Sequence, residues 1–155
     1  MIDRADILTE TAAITVEEVR PAMGAFVARP AGPWPTGGVL VAGELFGLSA
    51  HVRDVCERLA RLGYVALAPD LHHRTAPGIE LAHDAAGRER GFALLQQMTR
   101  ATVLDDVRAA FEHLRAKGCT RVAMVGLSVG GHVAYLAATE LELEVFLTRR
   151  RRSGC

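Results

Sequence analysis

Val122-Ala123-Met124-Val125-Gly126-Leu127-Ser128-Val129-Gly130-Gly131-His132-Val133-Ala134-Tyr135-Leu136 decides the fold. A short apolar run enters Gly-x-Ser-x-Gly, and an apolar run of helical character leaves it. Strand, sharp turn and helix in that order turn a loose motif into a nucleophile elbow. Gly126 and Gly130 remove the Cβ atoms that would collide where the backbone reverses. Ser128 is then expected at the apex at positive φ, with its hydroxyl exposed. The Val129 amide points the same way and can donate to a developing oxyanion. A glycine-rich turn that merely packs closely is the plainer alternative, and the flanking runs favour the elbow.

Working outward, Gly38–Ala42 and Tyr64–Ala68 are continuous apolar runs, as in strands covered on both faces. Between them Ser49 can cap a helix on which Val52, Val55, Cys56, Leu59 and Leu62 share a face. Gly63 then occupies the C′ position of that helix. Helical spacing also covers about residues 89–98 and 102–117. The second of these turns Val103, Val107, Phe111 and Leu114 inward and closes at Gly118. Thr11–Val19 and Gly24–Ala28 read as short strands joined around Pro21, and Pro30–Pro35 as a surface connection. A polar loop is expected from Asp70 to about Arg88. Buried strands alternating with helices predict a three-layer α/β fold, a mostly parallel sheet with helices on both faces.

The chain has 155 residues, half of them hydrophobic and 23% charged, which fits one globular domain with a real core. Its 18 basic and 18 acidic side chains cancel, so nothing global argues for nucleic acid or a membrane surface. No apolar run approaches bilayer length, and Asp3, Arg4, Asp6 and Glu10 spoil a signal-peptide reading. Cys56, Cys119 and Cys155 are scattered, without a CxxC pair, and look like reduced thiols. The expected address is the cytoplasm.

Function in open α/β sheets gathers outside the carboxyl ends of the strands. Gly43-Glu44-Leu45-Phe46-Gly47 follows one strand and Pro69-Asp70-Leu71-His72-His73-Arg74 follows the next. The Leu45 amide is the natural second oxyanion donor. His72 and His73 hint at a metal, but no third ligand has credible spacing, so packing or pocket lining is the better reading. Arg149 to Arg152 read as a solvated basic tail more readily than as a nucleic-acid contact.

Glu44-Leu45-Phe46-Gly47-Leu48, His51-Val52-Arg53-Asp54, Gly63–Leu71, Arg74, Ala76-Pro77-Gly78 and Gly126–His132 occur in an order that is familiar. The chain resembles the dienelactone hydrolases (carboxymethylenebutenolidases) of the α/β-hydrolase superfamily, from about Thr11 to Leu143. The resemblance implies a hydrolase of lactones or other carboxylic esters, acting on a small molecule without a cofactor. It implies Ser128 as nucleophile, Glu44 as the glutamate that tunes it, and Leu45 and Val129 as oxyanion donors. It also implies Arg74 as the partner of a substrate carboxylate, where a guanidinium fork suits a planar anion.

Two departures from the family pattern stand out. Its usual nucleophile is cysteine, and a serine hydroxyl depends more on a neighbouring base. Its acid and histidine follow the nucleophile, whereas after Ser128 the only histidine is His132, one helical turn on. The expectation is therefore a partial hydrolase domain over residues 1–148, lacking C-terminal strands, and a basic tail over 149–155. The elbow strand would then be an apolar edge open to self-association. A second reading follows: a truncated, non-catalytic remnant without the triad acid and histidine.

Overall fold

The computed structural model describes residues 1–141 and, by backbone alone, residues 146–149. A 3-10 turn at Arg4–Asp6 leads into β1 (Ile7–Ile14), β2 (Met23–Pro30) and β3 (Gly37–Ala42). Then follow α1 (Ala50–Arg61), β4 (Val65–Pro69), α2 (Ala85–Leu95), α3 (Arg100–Ala116), β5 (Arg121–Leu127), α4 (Gly130–Ala138) and β6 (Phe146–Arg149). These strands form one six-stranded sheet in the order β1-β2-β4-β3-β5-β6. β4, β3, β5 and β6 run parallel, and β2 pairs antiparallel with β4 and with β1. The predicted mostly parallel sheet is therefore present.

Alternation along the strands splits the core in two. Val39, Val41, Ala66 and Ala68 face α1, where they meet Val52, Cys56 and Ala60. Leu40, Ala42, Val65, Leu67, Val122 and Met124 face the other side, under Val103, Val107, Ala110 and Leu114 of α3 and Ala134 and Ala137 of α4. With helices on both faces, the three-layer architecture is as the apolar runs imply. Among the described residues no helix is long and apolar enough to cross a membrane.

Four expectations need correction. The first strand ends at Ile14 and not at Val19, because the chain leaves the sheet in a turn where Glu18 takes φ 60°. The helix expected from 89 begins at Ala85, since the Asp84 side chain accepts from Gly87 N at 2.7 Å and caps it. Leu62 lies just past α1 and is exposed, with Gly63 at φ 94° in the C′ position. The elbow strand β5 is no edge: β6 pairs with it from Met124 to Leu127. Residues 150–155, the greater part of the expected tail, lie outside the described residues.

Candidate active site

The elbow is shaped by close backbone approach. Ser128 adopts φ 54°, which costs a non-glycine residue about 1–2 kcal/mol. A Cβ on Gly126 would sit 2.3 Å from the Gly130 carbonyl oxygen. One on Gly130 would sit 2.2 Å from the oxygen of Ala42 and 2.6 Å from that of Gly43. Both glycines are thus required, and the second seats the start of α4 against the end of β3. Ser128 is exposed at the apex, as expected.

Seating α4 on β3 brings two loops together. Ser128 and Val129 line one groove with Glu44, Leu45, Phe46, His83, Arg88 and Phe92, a hollow of about 250 Å³. Among the described residues, neither the Leu45 N–H nor the Val129 N–H has a hydrogen-bond acceptor. Two backbone donors without an acceptor thus belong to residues that line the same groove as the serine. A larger hollow between the turn at Thr15–Arg20 and α3 is lined by no serine, cysteine or histidine.

Glu44 reaches from this groove into a second, apolar cavity behind the elbow, where it is joined by Leu48, Leu71, His72 and Val133. Its Oε2 is buried and accepts no hydrogen bond. His72, only 4% exposed, brings Nε2 to 3.1 Å from the Leu45 carbonyl oxygen. A carbonyl only accepts, so Nε2 carries the proton and Nδ1 is the bare nitrogen, buried without a partner.

Arg74 goes elsewhere. Its guanidinium forks onto Asp106 of α3, with Nη2 donating to Oδ1 at 2.8 Å and Nε to both carboxylate oxygens at 3.1 and 3.2 Å. Asp106 is buried, and its hydrogen bond to Arg74 raises the guanidinium above its usual range. His73 Nε2 lies 3.0 Å from the same carboxylate but out of line for a hydrogen bond. The structure therefore gathers Ser128, Val129, Glu44 and Leu45 in one place and leaves Arg74 outside the groove.

Three groove residues were not legible in the sequence: His83, Arg88 and Phe92. His83 stacks on Phe46 with ring centroids 4.0 Å apart and an interplanar angle of 23°. Arg88 sits on the first turns of α2, which Asp84 fixes over the groove. The overlooked signal was Asp84 itself, an N-cap placed where only a polar loop was expected. Among the described residues no histidine ring hydrogen-bonds Ser128; His132 lies on α4, exposed.

The model of the dienelactone hydrolase family matches residues 23–146. A provisionally named carboxymethylenebutenolidase of Synechocystis sp. is 33% identical over 135 residues, covering 84% of this chain and 54% of that protein. The carboxymethylenebutenolidase of Pseudomonas putida is 35% identical over 121 residues, covering 76% and 50% respectively. Among solved structures, a provisionally named dienelactone hydrolase from Klebsiella pneumoniae superposes with a TM-score of 0.75 at 25% identity, covering 96% of this chain and 62% of that one. The chain spans about half the length of the curated relatives it matches.

Proposed function

The chain belongs to the dienelactone hydrolase family, and from that premise we propose that it hydrolyses small lactones or other carboxylic esters by acyl transfer through Ser128. The observation that carries this reading is the groove itself, which joins an exposed serine at φ 54° to two residues whose backbone N–H groups have no acceptor among the described residues. Ser128 Oγ attacks the carbonyl carbon and loses its proton to a base. The carbonyl oxygen, now negative, accepts from the Leu45 and Val129 amides. Collapse expels the alkoxide, which takes up the proton, and water then cleaves the acyl-serine to give the acid. This chemistry calls on no cofactor.

Two groups in the groove can accept the serine proton, Glu44 and His83. Two variants separate them: turnover lost in Glu44→Gln but kept in His83→Gln assigns the base to Glu44, and the reverse pattern assigns it to His83.

An anionic substrate is favoured by Arg88, which lines the groove, and not by Arg74, whose fork is taken by Asp106. Arg88→Ala should raise KM about tenfold for an ester bearing a carboxylate and leave a neutral ester of the same size unchanged. Equal effects on both esters would remove the anionic preference. A cytoplasmic address suits the free, buried thiols Cys56 and Cys119. Self-association through the sheet would run through β6, and sedimentation across a range of concentrations reads it.

The non-catalytic reading keeps one observation, the lack of a histidine on Ser128 among the described residues. Steady-state hydrolysis of a lactone series, with Ser128→Ala as control, decides between the two. Turnover lost in Ser128→Ala supports the hydrolase. Turnover equal in both proteins, or absent in both, supports the remnant.

A further inference from the structure

The loop that carries Glu44 and Leu45 is not held by the sheet; it leaves β3 and turns back through Phe46 before α1. What holds it is the long segment after β4. Leu81 N donates to the Phe46 carbonyl at 3.0 Å, and Gly47 forms a bridge with Glu80. A Cβ on Gly47 would meet the Ile79 oxygen at 2.1 Å, so the two segments are in backbone contact. From α2, Gly91 lies so close that a Cβ there would meet Leu45 Cγ at 2.5 Å. The Leu45 peptide is thereby confined on its outer sides. Its carbonyl oxygen, which a Cβ on Gly91 would meet at 3.0 Å, also has a side-chain donor: His72 Nε2 at 3.1 Å.

That bond is buried, and a buried ring whose second nitrogen has no partner is costly to keep. A hydrophobic side chain of similar size would line this apolar cavity more cheaply. We propose that His72 is a positioning residue for the oxyanion site: by donating Nε2–H to the Leu45 carbonyl it fixes the loop so that the Leu45 N–H faces Ser128. The inference rests on the acyl-transfer reading. His72 lies in the loop after β4 and does not itself touch the reacting atoms. The Leu45 carbonyl and amide belong to adjacent peptide planes, so a bond that pins one restricts rotation of the other. Pre-organised donors are effective because they need no reorganisation as charge develops, and misplacement by about 1 Å costs on the order of a hundredfold in rate.

The test compares two amides at position 72. A glutamine places its side-chain N–H as many bonds from Cα as imidazole Nε2, whereas an asparagine reaches only as far as Nδ1. Both remove the ring, and His72→Leu, close to glutamine in size but without a donor, separates packing from the bond: it should lose kcat as asparagine does, and a His72→Leu enzyme as fast as His72→Gln would overturn the proposal. His72→Asn should lower kcat for a lactone or ester about ten- to a hundredfold, with KM within about threefold of the wild type. His72→Gln should keep kcat within about threefold. Amide hydrogen exchange over residues 44–48 should accelerate in His72→Asn and stay slow in His72→Gln. Equal losses in both variants, or a loss confined to KM, would overturn the proposal. If the wild type shows no turnover, the acyl-transfer reading fails. The exchange pattern then still decides whether His72 holds the loop.

Discussion

Gly130→Ala tests the elbow most sharply, because its consequence can be worked from distances. The added Cβ would lie 2.2 Å from the Ala42 oxygen and 2.6 Å from the Gly43 oxygen, where real Cβ atoms stay beyond 3.0 Å. Both obstacles are backbone at the end of β3, so no rotamer relieves them. The start of α4 must withdraw by roughly 1 Å, or the Gly43–Gly47 loop must be pushed away by as much. Overpacking of this kind costs about 1–3 kcal/mol, against less than about 1 kcal/mol gained from replacing a helical glycine by alanine. The net expectation is a loss of about 1–2 kcal/mol. Separation of Ser128 from the Leu45 amide should lower the rate of acylation by on the order of a hundredfold. Urea unfolding gives the first quantity and a single-turnover ester assay the second. Gly24→Ala is the control, since no atom lies within 4 Å of its Cβ. A Gly130→Ala protein as stable and as fast as the wild type would refute the close approach on which the site is built.

Ser128→Gly should abolish turnover and raise stability by about 1 kcal/mol, because glycine tolerates φ 54° without the left-handed penalty; chemical denaturation reads the gain, and a loss of stability would deny that the serine is strained. Burial pushes the Cys56 thiol up to about 12 from 9.0. The folded chain therefore keeps a proton that the unfolded chain releases above pH 9, so this stabilisation is complete below pH 9 and is lost progressively up to about pH 12. Between pH 8 and 10 the wild type should lose about 1.4 kcal/mol more than Cys56→Ala in urea titrations.

Much of the fold was legible because its signals were local. Gly38–Ala42, Tyr64–Ala68 and Val122–Leu127 are apolar along their whole length, and only strands buried on both faces need that. Gly63 and the Gly-x-Ser-x-Gly turn carry their geometry in single residues. The candidate groove was legible where it depends on those turns, at Ser128, Val129, Glu44 and Leu45. It was not legible where it depends on which loop lies over which. Arg74 follows a strand end, as a substrate ligand would, yet Asp106 lies more than thirty residues away and takes its fork. Arg88 looked like one more loop charge until Asp84 was found to start a helix there. β5 read as an edge because the arginines after Thr148 lack the apolar pattern of a buried strand, whereas β6 pairs with it from Met124 to Leu127.

The central claim is that Ser128 is an activated nucleophile, and the most direct measurement is its reaction with a fluorophosphonate, followed by intact mass and peptide mapping on the folded chain. The account predicts one adduct per chain, on Ser128, absent from Ser128→Ala. A cooperatively folded chain that gains no adduct, or gains it at another residue, would contradict it.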